Sequence, residues 1–443
     1  MSIFSISDII ATPVVTWIII LISKIASKKL SRNLELKKYC LPSLYIRLIC
    51  TFLTCLLYSS YYGYGDTFEY YKGGEIIKSA LLNGDFDVAK ELIYYDYEEF
   101  SEASLRYIGE QWHFQGNSNR FVMNLSAFFS LITFGSFISI SLLFTVFAFV
   151  GSWLIFLGFY ESYKKNAKYL AYATLFVPSY TFWGTGIMKE PLCIFALGCI
   201  FFCGQKILIY KLFNFRHIIG ILTGIFILFN VKVYILLCFL IGFIPYIIVK
   251  FEFSAKYANL KSTFKIGFAI LICIISFQLG KMIFSYYQNF SSIELLLSQI
   301  DSIQSAQVIN SEGGSGYNLG EIDLTPFGFV RYGLISINVT LFRPYFWEIN
   351  KVVNIPASIE SMLMLLFFLL TLIKTGLLKT IRIVINEPII LFCIIFVLTL
   401  SVMTGSISFN FGTLARYRIP ILPFYFVALL LIRDKSANLE KIK

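Results

Sequence analysis

Residues 141–160 read SLLFTVFAFVGSWLIFLGFY, a run with no charged side chain and no polar alternation. Such a run is long enough to cross a hydrocarbon core of about 30 Å as a helix. Backbone amides find no partner in lipid, so a spanning segment is either a helix or part of a closed barrel, and a barrel strand would alternate. Comparable runs recur along the chain. With 57% hydrophobic and only 14% charged residues among 443, there is too little polar surface to enclose a soluble fold. The expectation is an all-α polytopic membrane protein, with residues 1–443 forming a single integral membrane domain.

Spans are expected near residues 9–24, 46–63, 138–160, 168–182, 190–209, 216–230, 233–250, 264–280, 357–374, 388–405 and 417–432, eleven in all. Several are short, since fifteen helical residues reach only about 22 Å, a length suited to helices that surround a cavity. MSIFSISDII has no basic start and no small-residue cleavage site after its apolar run, so the first helix is expected to stay. The nine cysteines fall in spans or in the first basic loop without CxxC spacing, which gives neither a disulfide framework nor a zinc motif.

Alternate loops differ in charge. One set, from Lys24 to Arg47 through to the run from Arg433 to Lys443, holds 24 of the 37 basic residues. That excess marks the cytoplasmic side and places the N-terminus outside and the C-terminus inside. Two long loops then face out. Residues 65–120 carry eleven acids against five bases. Within them DFDVAKELIYYDYEEF reads as an amphipathic helix on the interface, and FVMNLSAFFSLITF reads as a helix dipping against the membrane. Residues 281–356 open with IELLLSQIDSIQSAQVI, where Ile293, Leu296, Leu297, Ile300 and Ile303 share a helical face. They loosen at GGSGYNLG and run on through FGFVRYGLISINVTLFRPYFWE.

The outer loops carry the candidate chemistry. In GYGDTFEYYKGGE, Asp66 sits at the outer end of the second span among tyrosines. Partial desolvation raises the basicity of a carboxylate there, so it can take a proton from a sugar hydroxyl or hold a divalent ion. The structural alternative is that Gly-Asp ends the helix and the tyrosines form an interfacial belt. Glu110, beside Trp112 and His113, is the other acid of interest. Arg331 lies upstream of LFRPYFWE, which holds Arg343, Trp347 and Glu348, and GTLARYRIPILPFY holds Arg416 and Arg418. An arginine fork gives paired bonds to phosphate oxygens, whereas the alternative is snorkelling to headgroups. Lys189 and Glu190 in WGTGIMKEP read as a phosphate lysine with its partner, or as an ion pair that starts the fifth span.

Other classes are disfavoured. The two histidines, His113 and His217, fall on opposite sides, which leaves no histidine metal site or histidine-based triad. GGSGYNLG follows no strand and lacks GxGxxG spacing, and Gly280-Lys281 is followed by Met282 where a phosphate loop needs Ser or Thr. No acid lies mid-span, which weighs against a proton- or sodium-coupled transporter. Nothing suggests a nucleic-acid partner.

Taken together the layout resembles the GT-C-fold membrane glycosyltransferases, including bacterial mannosyltransferase-like families. Asp66 matches the acidic residue at the start of their first outer loop. RYRIPILPFY resembles their final RYxLPxLPxL pattern through Arg416, Tyr417, Pro420 and Pro423, and LFRPYFWE looks like a segment of uncharacterised bacterial relatives. One departure is that the acidic loop follows the second span here rather than the first. The resemblance implies a bacterial plasma-membrane enzyme that uses a polyprenyl-phosphate-linked sugar, a glycan or glycolipid acceptor and surrounding membrane lipid. Asp66 would be the catalytic carboxylate, and Arg343, Arg416, Arg418 or Lys189 would receive the departing phosphate. Glu110, His113, Arg331, Trp347 and Glu348 are secondary candidates near the acceptor. A divalent cation is compatible with this chemistry and not indicated by it. The alternatives are an O-antigen-type polymerase or ligase, which would need Arg331 and Arg343 and could spare Asp66, and a lipid-linked-sugar flippase or other transporter.

Overall fold

Apolar stretches approaching twenty residues fold as helices because each amide then finds a carbonyl within its own segment. A computed structural model describes residues 5–29, 34–109, 111–250, 326–349, 351–408 and 410–441. Among these the chain is all-helical, without strands, and eight helices are long and apolar enough to cross a membrane. The protein is a polytopic helical membrane protein. Its chain divides into two compact units, residues 1–204 with 214–233 and residues 205–213 with 234–443.

The first unit begins with α1 (Ile6–Lys29) and α2 (Leu34–Leu57), which continues as a π-helical turn, Tyr58–Tyr62. Then come α3 (Asp66–Asn83), α4 (Phe86–Tyr94), α5 (Glu102–Ile108) and α6 (Asn117–Thr133). The unit closes with α7 (Phe137–Ser162), α8 (Ala167–Leu175), α9 (Pro178–Phe182), α10 (Lys189–Gly204) and α11 (Phe215–Val231). Asp8 of α1 ties the N-terminal helix to α7: its Oδ1 accepts from the Ile138 amide at 3.0 Å and from the Ser136 hydroxyl at 2.8 Å. A carboxylate at a helix start also meets the positive end of the helix dipole. Behind it Ile19, Leu44, Leu48, Leu142 and Phe149 form one apolar cluster. α7 and α10 cross at Gly151 and Gly198, where an added methyl would collide with the carbonyl of Ile194 or of Gly151. Small residues let two spans approach at backbone distance.

The second unit holds α12 (Val233–Lys250) from Tyr234 onward, then α13 (Pro326–Phe342), α14 (Ile355–Thr375) and α15 (Leu377–Asn386). It ends with α16 (Pro388–Ile407), α17 (Phe411–Tyr417) and α18 (Leu422–Lys441). Its core is aromatic. Phe239 meets Phe392 and Phe396 edge-on at 5.3 and 5.4 Å, and Phe424 meets Phe396 at 4.9 Å, spacings at which perpendicular rings attract.

Several expectations change. Residues 65–120, expected as an outer loop containing an amphipathic helix and a helix dipping against the membrane, hold the helices α3 to α6, and α6 meets Gly73 and Gly74 of α3 through Met123, Ser126 and Ala127. The amphipathic helix expected over DFDVAKELIYYDYEEF is α4 in its first part, with Val88, Ala89 and Leu92 inward, and it stops at Tyr94. The span expected at 168–182 is broken into α8 and α9, because Pro178 has no amide hydrogen and holds Val177 in an extended conformation. α11 has 17 residues and reaches about 25 Å. The outer loop expected at 281–356 is helical over Pro326–Phe342. Arg47, counted above with a basic loop, lies inside α2 and is fully buried. The span expected at 264–280, the helix proposed from IELLLSQIDSIQSAQVI, the GGSGYNLG turn and Glu110 lie outside the described residues.

Candidate functional site

Asp66 opens a helix rather than ending one. Gly63 adopts a left-handed conformation with φ 68° and caps the π-helical turn, and Gly65 precedes α3 with φ 126°. These are backbone conformations that glycine reaches without steric cost. A side chain on Gly65 would also press on the Tyr58 ring, whose Cε1 lies 3.1 Å from the position of a Cβ. The two glycines turn the chain sharply, so Asp66 becomes the first residue of α3 and Glu69 follows one helical turn later.

His113 meets this acidic turn. It lies in the 3-10 turn Trp112–Gln115 before α6, buried, with Nε2 4.0 Å from Asp66 Oδ1 and Nδ1 3.7 Å from Glu69 Oε2. The Asp66 side chain is 41% exposed, so the carboxylate lines an accessible edge while the imidazole sits behind it. Burial pushes the imidazole below its ordinary pKa, and Glu69 and then Asp66 oppose that shift. The ring is therefore neutral near pH 7 and available as a proton acceptor.

The first residues of α6 join the parts. Tyr70 of α3 donates its hydroxyl to Asn119 Oδ1 at 3.2 Å, and the Asn119 amide donates to the His113 carbonyl at 3.2 Å. Ser118 accepts a hydrogen bond from Lys189 Nζ at 2.8 Å. The same ammonium lies 5.9 Å from the centroid of the Tyr70 ring, which is within cation–π range. Lys189 is the first residue of α10. Its neighbour Glu190 is buried and accepts from Lys232 Nζ at 2.9 Å, a pair whose side chains are 5% and 8% exposed. Lys72, on the outer face of α3, pairs with Glu69 at 3.2 Å. Among the described residues, Asp66 and Glu69 and the ammonium groups of Lys189 and Lys72 thus act on one imidazole, with the Glu190–Lys232 pair next to Lys189 in the chain fold. No group of three or more His, Cys, Asp or Glu side chains among the described residues is arranged to hold a metal ion.

Of the residues singled out in the sequence, Asp66, His113 and Lys189 come together. Glu69, Tyr70, Asn119 and Lys232 were missed. Glu69 would have emerged from reading residues 66–83 as helix, and Lys232 from its place as a lone lysine between two apolar runs.

The arginines belong to the second unit, and Arg343 and Arg418 are engaged there. Arg343 Nε donates to both Glu348 oxygens at 2.8 and 3.0 Å, its terminal nitrogen closes a second bond to Glu348, and its guanidinium lies 5.3 Å from the Phe411 ring centroid. Arg418 is 1% exposed and donates to Ser361 Oγ at 2.6 Å, to Glu360 Oε1 at 3.3 Å and to the carbonyls of Arg343 and Ala357. It braces α14 from inside. Arg416 is half-buried and Arg331 exposed. Trp347 is exposed and stacked on Tyr345 at 4.8 Å.

Comparison of the chain with protein-family models, with curated proteins and with solved structures finds no match.

Proposed function

We propose that this chain is a membrane glycosyltransferase of the GT-C type, moving a sugar from a polyprenyl-phosphate donor to a glycan or glycolipid acceptor. The observation that supports it is the convergence of a proton-accepting pair, Asp66 and His113, with the ammonium of Lys189, from three segments that lie apart in the chain. In the transfer the acceptor hydroxyl attacks the anomeric carbon and its proton passes to Asp66, directly or by way of His113. The bond from the anomeric carbon to the phosphate oxygen breaks, and the phosphate leaves with the electron pair. Lys189, held by Ser118 and Tyr70, stabilises the charge that develops on it, the kind of electrostatic contribution that dominates such transfers.

In this reading residues 65–120 face out of a bacterial plasma membrane, the N-terminus lies outside and the C-terminus in the cytoplasm. The short helices and the expected span at 264–280 bring the crossings to eleven. Because nucleotide sugars are cytoplasmic, an outward site needs a donor already carried across on lipid. The polymerase alternative needs Arg331 and Arg343, and the fork of Arg343 is occupied by Glu348. Transfer from radiolabelled polyprenyl-phosphate sugars by membranes containing the chain, against membranes lacking it, tests the proposal. No incorporation from any such donor would reject it.

A further inference from the structure

Arg47 is the anomaly of the first unit. It stands inside the candidate span Leu36–Tyr62, fully buried. A guanidinium in that position is costly unless paired, and among the described residues no carboxylate pairs with it. Its partners are neutral: Nη2 donates to Ser152 Oγ at 2.7 Å, Nη1 to the Tyr180 carbonyl at 3.4 Å, and the cation lies 4.8 Å from the Tyr180 ring centroid. Ser152 in turn donates toward the Tyr180 hydroxyl at 2.9 Å.

What these groups surround is irregular backbone. Between α8 and α10 the chain is helical only over Pro178–Phe182, and inside a membrane domain non-helical backbone persists only where protein groups satisfy it. α2 supplies them from one face, with Arg47, Thr51 and Thr54 spaced to lie together. Arg47 donates to the Tyr180 carbonyl. Thr51 bonds Thr145 at 2.7 Å, and Thr145 Oγ1 accepts from the Gly186 amide at 3.3 Å. Thr54 meets Thr185 at 3.3 Å, while the Thr185 hydroxyl donates to the Phe182 carbonyl at 2.7 Å. At Gly184 any side chain would crowd Arg47 Nη1, 3.2 Å from a Cβ there. The segment ends at Lys189.

We infer that Arg47 is a positioning residue: with Thr51 and Thr54 it seats the irregular segment 176–188 and so fixes Lys189 beside Asp66 and His113. An arginine that only filled space could be exchanged for an apolar chain without consequence, whereas one that holds carbonyls of a broken helix cannot. The consequence for donor phosphate rests on the transferase reading; the seating of the segment does not.

Hydrogen–deuterium exchange on the full chain tests the seating without any activity. In Arg47→Met, peptides covering 176–190 should exchange about tenfold faster or more, while α3 and α6 keep wild-type rates. Where transfer is measurable, the donor KM should rise and the acceptor KM stay. Unchanged exchange over 176–190 in a normally inserted Arg47→Met protein overturns the inference. If that variant does not accumulate, Ser152→Ala removes one partner alone, and the same measurement decides: local acceleration supports the inference and none overturns it. Faster exchange in a protein that transfers no sugar from any lipid-linked donor would leave the seating standing and reject the transferase reading.

Discussion

Asp66 Oδ1 and His113 Nε2 lie 4.0 Å apart, one at the first residue of α3 and the other in the turn that leads into α6. The separation leaves room for a small shift to a direct hydrogen bond, and catalytic contacts commonly tighten only when substrate is bound. Glu69 Oε2 lies 3.7 Å from the other ring nitrogen, a distance for electrostatic attraction rather than a hydrogen bond. The carboxylate is the exposed member and the ring is the buried one, so in the proposed transfer an acceptor hydroxyl would meet Asp66 first.

The buried imidazole has a consequence for stability. Its pKa in the folded protein is held below the ordinary value of about 6.5, chiefly by burial and against the pull of Glu69 and Asp66. Between those two values the unfolded chain binds more protons than the folded one, so stability falls as pH drops through about 6.5 and is independent of this group above it. Thermal unfolding of the full chain from about pH 7.5 to about pH 5 should show a decline in wild type that is shallower in His113→Gln. Parallel curves would remove His113 from the buried set.

Arg418 and Glu360 form a buried pair at 3.3 Å. Arg418→Ala leaves Glu360 without its cation and should destabilise the protein by about 3–5 kcal/mol. Arg418→Met combined with Glu360→Leu should cost far less. Melting temperatures of the single and double variants in detergent check this, and equal losses would contradict an internal brace.

Lys189 and Arg343 differ in availability, since the Arg343 fork is occupied by Glu348. Lys189→Gln should raise the donor KM by about tenfold or more, the scale of one charge-assisted hydrogen bond. Arg343→Lys should change it by only a few-fold. The reverse order would move the phosphate site to the second unit and favour the polymerase alternative.

The proposed orientation is open to chemical labelling. The Glu102 side chain is 89% exposed and Lys38 is exposed. In a cysteine-free background, Glu102→Cys should react with an impermeant maleimide in intact cells and Lys38→Cys only after lysis. The opposite pattern would invert the topology.

Much of the fold was legible because it follows from length and apolarity. The runs at 138–160 and 388–405 are helices α7 and α16 with boundaries shifted by two residues at most. What failed depended on local backbone or on packing. Pro178 interrupted an apolar run that composition alone extends to 182. Arg47 was placed in a loop because charge suggests solvent, yet Ser152 and Tyr180, more than a hundred positions away, bury it. In the site, Asp66 and Lys189 stood out by their place at the ends of spans. Their meeting with His113 depends on Asn119 and Ser118 of α6, tertiary contacts that no local pattern encodes. The arginines of LFRPYFWE and RYRIPILPFY were conspicuous as charges, but their partners Glu348 and Glu360 decide their roles.

The central claim is that Asp66 takes the proton, and Asp66→Asn tests it most directly because the amide has nearly the same shape and cannot act as a base. Gly65, not Asp66, is the cap of α3, so α3 should form and the protein should reach wild-type amounts in the membrane. Transfer from a radiolabelled polyprenyl-phosphate sugar should then fall by about 100-fold or more, the usual scale for a positioned base, with donor binding retained. Transfer within a few-fold of wild type in normally inserted protein would contradict the account and take Asp66 out of the mechanism.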